Sequence, residues 1–462
     1  MANAIKLLGI LCLGFGVTGL SAQAKPAWQA GVAKTMITPV KPMWMAGYAN
    51  RNRPAAGTST DLWCKALLLD DGSGNRGLVI TLDLIGIDAD LAADWCDKIE
   101  KQWGISRESI VLSTSHTHSG PVIVRNLKPL HFELLDAQQQ ALAVDYKHWL
   151  TERVIETVAS AVKDLAPAQL SWGSGKAQFA ANRRNNPENE IMRRRAESKI
   201  VGPSDHDVPV LAVRGANQQL RAVLFGYACH ATTLSWYFWS ADYPGHAQMT
   251  LQQRHPGCIA MFWAGCGGDQ NPLPRRKIEL AQKYGVELAD AVDEVLKGKL
   301  EPLPPKLVTR FTTIGLSFAE VPERSEIESQ RESKNQYVVA RANMWLKRMD
   351  QGEKVPAEYP YTIGYWSLGG QIEWFSLGGE VVVDYAVRLK SQRSGKRTWV
   401  AGYSHDVMAY IPSLRVLREG GYEGGGSMVY YGLFSPWSEQ VEEDIIRAAK
   451  ELAGGALKPS TP

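Results

Sequence analysis

Two histidines two residues apart give the strongest chemical signal in this sequence. His116 and His118 lie in the run from Val111 to Pro121, where an apolar strand gives way to a Gly-Pro turn. Because alternate residues of a strand share one face, the two imidazoles are predicted to converge. Two neutral imidazoles can hold one metal ion, or one can hold it while the other moves protons. The alternative interpretation is a pair of solvated loop histidines beside a turn.

Two more polar residues follow apolar strands later in the chain. His230 ends the run from Val223, and Glu380 follows Phe375 through two glycines, just before a predicted helix over residues 381–390. A strand that presents a side chain at its tip holds it rigidly, and the helix dipole stabilises a carboxylate at a helix start. Each residue also has a purely structural interpretation: His230 as a core histidine with local hydrogen bonds, and Glu380 as an ordinary glutamate at the start of a helix.

A glycine-rich turn over residues 264–272 follows another predicted strand. Such a turn offers backbone N–H groups to an anion and is typical of a phosphate cradle. It lacks the Lys-Ser/Thr ending of a P-loop, so a nucleotide site is weakly indicated. Stabilisation of a developing oxyanion, or simple turn geometry, fits the same residues.

The composition is that of a globular protein. The chain has 462 residues, of which 45% are hydrophobic and 21% charged, and its formal net charge is +3. This small charge argues against nucleic acid or an anionic membrane as a partner. Beyond Cys12 the cysteines are odd in number and lack paired Cys-x-x-Cys spacing, so no thiolate zinc site is indicated, and one disulfide stays open.

The first 24 residues are predicted to be a secretory signal. Lys6 precedes an apolar stretch from Leu7 to Val17, and Ala22-Gln-Ala24 forms a small-residue cleavage site. No later segment approaches the roughly 18 to 20 apolar residues of a membrane span. We therefore expect an exported protein without a transmembrane segment, located in the periplasm or outside the cell.

Strand-like runs alternate with helix-like runs along the mature chain, which favours an α/β fold. The predicted strands cover residues 77–84, 109–115, 208–214, 221–229, 258–263 and 398–410, with further alternation over 361–377. The predicted helices cover residues 88–102, 136–165, 277–296, 325–349 and 439–452. We expect one domain over residues 25–462, with a mixed sheet flanked by helices.

Several motifs in order make the sequence resemble the neutral, non-lysosomal ceramidase family, which are zinc amidases that cleave the N-acyl bond of ceramide. Ordered motifs are more specific than one His-x-His pair. Those shared with the family are Ala46-Gly-Tyr48 with Asp61, Thr81 to Gly86, Ser115 to Pro121, Asn182-Arg183, His230, Ser240 to Gly245, the Gly-Asp turn, Gly379-Glu380 and Tyr422-Glu-Gly424.

The resemblance implies one Zn²⁺ ion held by His116, His230, Glu380 and Tyr410. It further implies that His118, Arg183 and Tyr422 act on the substrate. Zinc held in this way activates water for attack on an amide or ester carbonyl. Arg183 and Tyr422 would share the negative charge on the carbonyl oxygen, and His118 would transfer protons.

Two aspartates are candidates for orienting a ligand histidine. Asp83 and Asp242 lie in two of the shared motifs. A carboxylate that accepts the second ring N–H of a ligand histidine fixes its orientation. Both residues can equally be turn and strand-end aspartates.

Two departures from the family leave the substrate open. The Gly-Asp turn of the family usually carries a serine, whereas this chain reads Gly268-Asp-Gln-Asn-Pro272, and no C-terminal immunoglobulin-like domain is expected before Pro462. The resemblance favours hydrolysis of ceramide or a related small N-acyl lipid, with peripheral membrane contact left open. The alternatives are a zinc esterase or deacylase acting on another lipid or glycan conjugate, and a secreted binding protein without catalysis.

Overall fold

The computed structural model describes residues 27–456, so the predicted secretory signal lies outside the described residues. Strands and helices alternate along this part of the chain, as the apolar periodicity predicts. The strands are β1 (Gln29–Met36), β2 (Gly57–Thr58), β3 (Trp63–Asp70), β4 (Arg76–Leu82), β5 (Ile110–Thr114), β6 (Ala166–Lys176), β7 (Ala180–Asn182), β8 (Asp207–Gly215), β9 (Leu220–Tyr227), β10 (Phe238–Trp239), β11 (Ile259–Ala264), β12 (Gln270–Pro272), β13 (Glu301–Pro302), β14 (Leu307–Ser317), β15 (Glu358–Leu368), β16 (Ile372–Leu377), β17 (Glu380–Val381), β18 (Thr398–Ala401) and β19 (Tyr410–Ile411).

The helices begin and end at residues that the sequence marks clearly. Asp88 caps the first helix by accepting the N–H of Leu91, and Gly104 ends it in a left-handed conformation. The helices are α1 (Ala89–Trp103), α2 (Ala137–Lys163), α3 (Ile191–Ala196), α4 (Asp242–Arg254), α5 (Ile278–Lys297), α6 (Arg324–Ser329), α7 (Gln336–Asp350), α8 (Val383–Gln392), α9 (Leu414–Glu419), α10 (Met428–Tyr431) and α11 (Val441–Gly454). None of them, within the described residues, has the length and apolar character of a bilayer-crossing helix.

A nine-stranded mixed sheet forms the main layer and confirms the predicted α/β fold. Its strands follow the order β11-β9-β8-β6-β1-β3-β4-β5, and β13 pairs with β6. The β4–β5 and β9–β11 pairs are parallel, whereas the other pairs are antiparallel. The parallel strands β5 and β9 are buried along nearly their whole length, as their continuous apolar sequences predict.

A second sheet, with strand order β14-β15-β16-β18, packs against the first through buried tryptophans. The ring of Trp263 on β11 lies 5.6 Å from that of Trp374 on β16. Beyond β18 the chain joins both edges of the main sheet. Gly402 donates its N–H to the carbonyl of Ala264 at the end of β11, while the N–H of Thr114 on β5 donates to the carbonyl of Tyr403. This connecting segment brings the ends of the two edge strands together.

The structure corrects two predicted elements. The helix predicted over residues 325–349 is divided into α6 and α7, because Asn335 caps a new helix by accepting the N–H of Tyr337. The strand predicted over residues 398–410 is divided into β18 and β19. Tyr403 and His405 have left-handed φ angles of 51° and 65°, which interrupt an extended strand.

Candidate metal centre

Four predicted ligands reach one point from different parts of the fold. His116 follows β5, His230 follows β9, and Glu380 and Tyr410 are paired opposite each other on the short parallel strands β17 and β19. Glu380 therefore lies in a strand, and α8 begins at Val383 instead of directly after Glu380 as predicted. His116, His230, Glu380 and Tyr410 are all buried.

The prediction that His116 and His118 share a strand face is wrong, although the two rings do converge. Strand β5 ends at Thr114, and His116 adopts a left-handed φ of 58°. The ring centroids nevertheless lie 4.8 Å apart and the two Nε2 atoms 3.1 Å apart. A strained turn at His116, and not strand pleating, brings the imidazoles together.

Backbone carbonyls fix the tautomers of both ligand histidines. Nδ1 of His116 donates to the carbonyl of Ile85, and Nδ1 of His230 donates to the carbonyl of Gly267, each at 2.6 Å. In a neutral ring each Nε2 is then left with a free lone pair. Burial and the nearby Arg183 charge lower the pKa of His230 to about 4, which keeps it neutral at pH 7.

Neither of the two candidate aspartates orients a ligand histidine, so Asp83 and Asp242 fit their alternative interpretation as turn and strand-end residues. Asp83 accepts the backbone N–H of Trp63 at 3.0 Å, and Asp242 accepts that of Leu234 at 2.8 Å. Both side chains therefore tie loops together, while carbonyl oxygens take the place of carboxylates behind the histidines.

The Glu380 carboxylate completes a cluster of hydrogen-bond acceptors. Its Oε2 atom lies 3.1 Å from Nε2 of His116 and 3.0 Å from Nε2 of His230. This buried oxygen accepts no hydrogen bond from any described residue, whereas Oε1 accepts one from the Tyr431 hydroxyl.

The donor set fits a metal cation. Two lone-pair nitrogens and an anionic oxygen point at one another with no proton between them, an arrangement that a bound cation would satisfy. The Tyr410 hydroxyl lies 3.1 Å from Nε2 of His230 and adds a fourth oxygen donor. Ring nitrogens of His116, His118 and His230 also lie within 4.8 Å of one another. Imidazole with carboxylate and phenol oxygens suits Zn²⁺.

His118 faces the cleft and is held from behind by the loop over residues 46–51. A Cβ atom on Gly47, whose φ is +106°, would lie 2.5 Å from Cγ of His118. The Arg51 guanidinium donates to the carbonyls of Ala46 and His118, which clamps the loop against the histidine. Burial, together with the imidazoles of His116 and His230, lowers the pKa of His118 well below its ordinary value.

Arg183 enters the site beside Tyr410. Its Nε donates to Glu423 at 2.7 Å, while Nη1 donates to Asn271 at 3.2 Å and Nη2 to the Tyr410 hydroxyl at 3.1 Å. Nη1 also lies 3.5 Å from Nε2 of His230. The guanidinium is thus fixed in direction, with the edge formed by Nη1 and Nη2 toward His230 and Tyr410.

Tyr422 lies at the mouth of the cleft. It begins a π-helical turn, is 47% exposed, and its ring lies 5.3 Å from that of Tyr410. Burial of its phenol raises the pKa of Tyr422 above its ordinary range, so the hydroxyl keeps its proton. The structure therefore brings all seven predicted site residues together, and His118, Arg183, Tyr410 and Tyr422 line the cleft.

The glycine-rich turn acts as a scaffold. Besides the Gly267 carbonyl, it supplies the Asp269 carbonyl, which accepts the N–H of Arg183, and the N–H of Gly268, which donates to Val381. A Cβ on Gly268 would lie 2.6 Å from the carbonyl oxygen of Glu380. The turn thus joins the segments of three site residues, and glycine is required for the close approach.

Sequence reasoning missed two tyrosines that contact the ligands. The Tyr403 ring lies 4.4 Å from that of His116, and its hydroxyl is 3.3 Å from Nδ1 of His230. Tyr431 donates to Glu380. Neither residue lies in a motif, whereas Glu423, the partner of Arg183, directly follows Tyr422 and could have been found there.

A cleft of about 590 Å³ leads to the ligands. Its walls combine charged, amide and phenol side chains with few apolar ones. The lining residues are Gly47, Tyr48, His118, Arg183, Arg184, Asn186, Glu188, Thr232, Asn271, Leu273, Arg275, Tyr410, Glu419, Tyr422 and Glu423.

Comparisons with known proteins give a consistent result. The family model for the N-terminal part of neutral/alkaline non-lysosomal ceramidases matches residues 28–265. The chain is 27% identical over 122 residues to a neutral ceramidase of Drosophila pseudoobscura pseudoobscura, which is 26% of this chain and 17% of that relative. It is 22% identical over 252 residues to neutral ceramidase B of Dictyostelium discoideum, which is 50% of this chain and 33% of that relative.

These alignments span only a third or less of the length of the two relatives. A structural comparison covers more of the chain. The crystal structure of neutral ceramidase from Pseudomonas aeruginosa matches with a TM-score of 0.72 at 17% identity, over 95% of this chain and 76% of that one. The mixed sheet with flanking helices is therefore the fold of that enzyme.

Proposed function

The chain belongs to the neutral/alkaline non-lysosomal ceramidase family, and from this membership we propose that it is a zinc-dependent amidohydrolase that cleaves an N-acyl bond. The observation that carries the proposal is the close approach of Nε2 of His116, Nε2 of His230 and Oε2 of Glu380 in a buried place where Oε2 accepts no hydrogen bond from a described residue. His116, His230, Glu380 and Tyr410 would hold the ion. When bound, zinc supplies Lewis-acid activation of water and of a carbonyl group.

The remaining residues have separate tasks in this proposal. His118 presents Nε2 toward the ligands and can take a proton from water, then return it to the leaving amine. Arg183, fixed by Glu423 and Asn271, directs its charge toward the carbonyl oxygen, where negative charge develops. The Tyr422 hydroxyl, which keeps its proton, can donate a hydrogen bond to the same oxygen.

We extend the proposal to the whole protein as follows. The secretory signal at residues 1–24 would direct export to the periplasm or the outside of the cell, and residues 25–462 would form one catalytic domain. Ceramide or a related N-acyl lipid is the substrate class that the family suggests. A zinc esterase or deacylase acting on a more polar conjugate is the second candidate, because polar side chains dominate the walls of the cleft.

Metal analysis and one matched pair of variants test the proposal. Purified full-length protein should hold one zinc per chain and hydrolyse an N-acyl amide, and His116→Ala should lose both. His148→Ala, which removes an exposed histidine on α2, serves as the control and should retain both. A folded His116→Ala protein that is as active as the parent, with no zinc in either, would contradict the proposal.

A further inference from the structure

The cleft that leads to the metal centre is better suited to a polar amine portion of the substrate than to the second hydrocarbon chain of ceramide. Among its lining residues Leu273 has the only aliphatic side chain. Ceramide carries two long chains, and their transfer from water is favourable only where apolar surface covers them. The wall instead offers arginines, glutamates and amides, which bind polar groups.

The positive charge of Arg275, in this wall, is not fully balanced by a carboxylate of its own. Nε of Arg275 donates to Oε2 of Glu188 at 3.1 Å, and Arg276 donates to both oxygens of the same carboxylate at 3.0 Å. One glutamate therefore serves two arginines, which leaves a net positive charge. Arg184, which also lines the cleft, donates to two carboxylates, Glu419 and Glu423, although Glu423 is shared with Arg183.

The free part of Arg275 faces the cleft. Its terminal nitrogens Nη1 and Nη2 have no hydrogen-bond partner in the described part of the chain, and its side chain is only 18% exposed. Burial raises the pKa of Tyr48 to about 12, and Arg275 is the charge that opposes this rise most. The Tyr48 ring in turn lies 4.9 Å from the His118 ring, so the guanidinium and His118 share one wall.

We propose that Arg275 binds a carboxylate of the substrate, and that the preferred substrates are amides with an anionic amine portion, such as N-acyl amino acids. This inference rests on the proposed amidohydrolase function. The two terminal nitrogens form a planar fork that matches a carboxylate. In the reaction, water adds across the amide: the C–N bond breaks, the acyl carbon gains the hydroxyl group and the nitrogen gains the proton. The products are a fatty acid and an amino acid.

Two substrates that differ only in the carboxylate test this inference. N-Lauroylglycine carries it, whereas N-lauroylethanolamine has an uncharged hydroxymethyl group in its place. We expect the zinc-loaded full-length protein to hydrolyse the glycine compound with a kcat/KM at least about tenfold higher, as for a charge-assisted hydrogen-bond pair. Arg275→Gln should abolish this preference by raising KM for the glycine compound, and leave the ethanolamine compound within about twofold.

An arginine outside the cleft supplies the control. Arg348 pairs with Glu353 at the surface and does not line the cleft, so Arg348→Gln should keep the preference. Arg275→Lys, which retains the charge without the fork, should keep part of it and covers the case in which the glutamine variant does not fold.

The possible outcomes separate this inference from the function on which it rests. Equal or faster hydrolysis of the ethanolamine compound, or an equal loss of both activities in Arg275→Gln, overturns the inference. Hydrolysis of a short-chain ceramide without hydrolysis of N-lauroylglycine overturns it as well, but leaves the amidohydrolase function standing. If none of the three amides is hydrolysed and no zinc is bound, both proposals fail.

Discussion

The metal centre and the surroundings of Lys65 are two buried polar clusters with opposite chemistry. Nζ of Lys65, on β3, donates to Oε1 of Gln248 at 2.6 Å and to the carbonyl of Ala260 at 2.8 Å, so acceptors surround a cation that belongs to the chain. At the metal centre the acceptors of His116, His230 and Glu380 face one another. At Lys65 the chain supplies the cation itself, whereas the Glu380 oxygen that faces the two imidazoles accepts no hydrogen bond from a described residue, and this difference is the basis for the external ion that we propose.

The largest expected effect comes from removing the only formal negative charge among the predicted ligands. Glu380→Gln keeps the shape of the side chain but should lose zinc and reduce N-acyl hydrolysis to the level without protein, because a neutral amide is a poor zinc ligand. Metal content and turnover measure the effect. Glu373→Gln, which removes a carboxylate paired with Arg393 at 2.7 Å on β16, is the matched control and should retain both. Retained zinc in Glu380→Gln would place the ion elsewhere.

Removal of the metal should lower the free energy of unfolding, because the cluster of His116, His230 and Glu380 has no cation of its own. At free zinc one thousand times above its dissociation constant, the free energy of unfolding should exceed that of the chelated protein by about 4 kcal/mol. Denaturant titrations with and without chelator measure this difference. Lys65→Met should show the same difference, since its cation site is separate. No response to chelation in the parent would contradict the expected ion.

The cation at Lys65 should instead make stability depend on pH. Burial lowers the pKa of Lys65 to about 8, below the ordinary lysine value of about 10.4. Between these values the unfolded chain binds a proton that the folded chain has released, so the free energy of unfolding rises with pH. Relative to Lys65→Met, the parent should gain about 2 to 3 kcal/mol from pH 7.5 to pH 10.5.

Denaturant titrations at both pH values check this slope. Lys34→Met, at an exposed position on β1, should follow the parent profile. A parent and Lys65→Met protein with parallel pH profiles would show that the ammonium is not buried as described.

A smaller loss of activity is expected from a variant that disturbs His118, the proposed proton-transfer residue, and leaves the metal ligands in place. Gly47→Ala places a methyl group against the His118 ring without touching His116. We expect zinc to remain and kcat to fall by roughly a hundredfold, as for a catalytic group displaced by about 1 Å. Gly74→Ala controls for backbone strain, because its φ of +96° is similar and no atom lies within 4 Å of the new methyl group. Equal activity of the two variants would argue against proton transfer by His118.

The positions of the histidines could be predicted from sequence because apolar strands end just before them. The runs before His116 and His230 have the composition of buried strands, and β5 and β9 occupy them. The carbonyls of Ile85 and Gly267 that orient the rings could not be predicted, since every residue has a carbonyl and no side chain marks the choice. The left-handed turn at His116 was equally hidden, because histidine rarely adopts it without tertiary contacts.

Long-range contacts explain the remaining errors. Tyr403 and Tyr431 contact the ligands only because the chain beyond β18 returns to both edges of the main sheet. Arg275 has no motif around it, and the role that we propose for it depends on sharing Glu188 with Arg276. A pattern within a short stretch of sequence does not indicate which distant residues will be in contact.

The segment over residues 402–405, which links β11 to β5, also determines when the metal centre can exist. During synthesis His116 emerges early, but Glu380 and Tyr410 emerge only after most of the chain. A nascent chain that ends before residue 402 has both histidines but neither the connecting segment nor the Tyr410 donor. Tight binding of the proposed zinc would therefore require the C-terminal part of the chain, and it would report that the last quarter has docked onto the first.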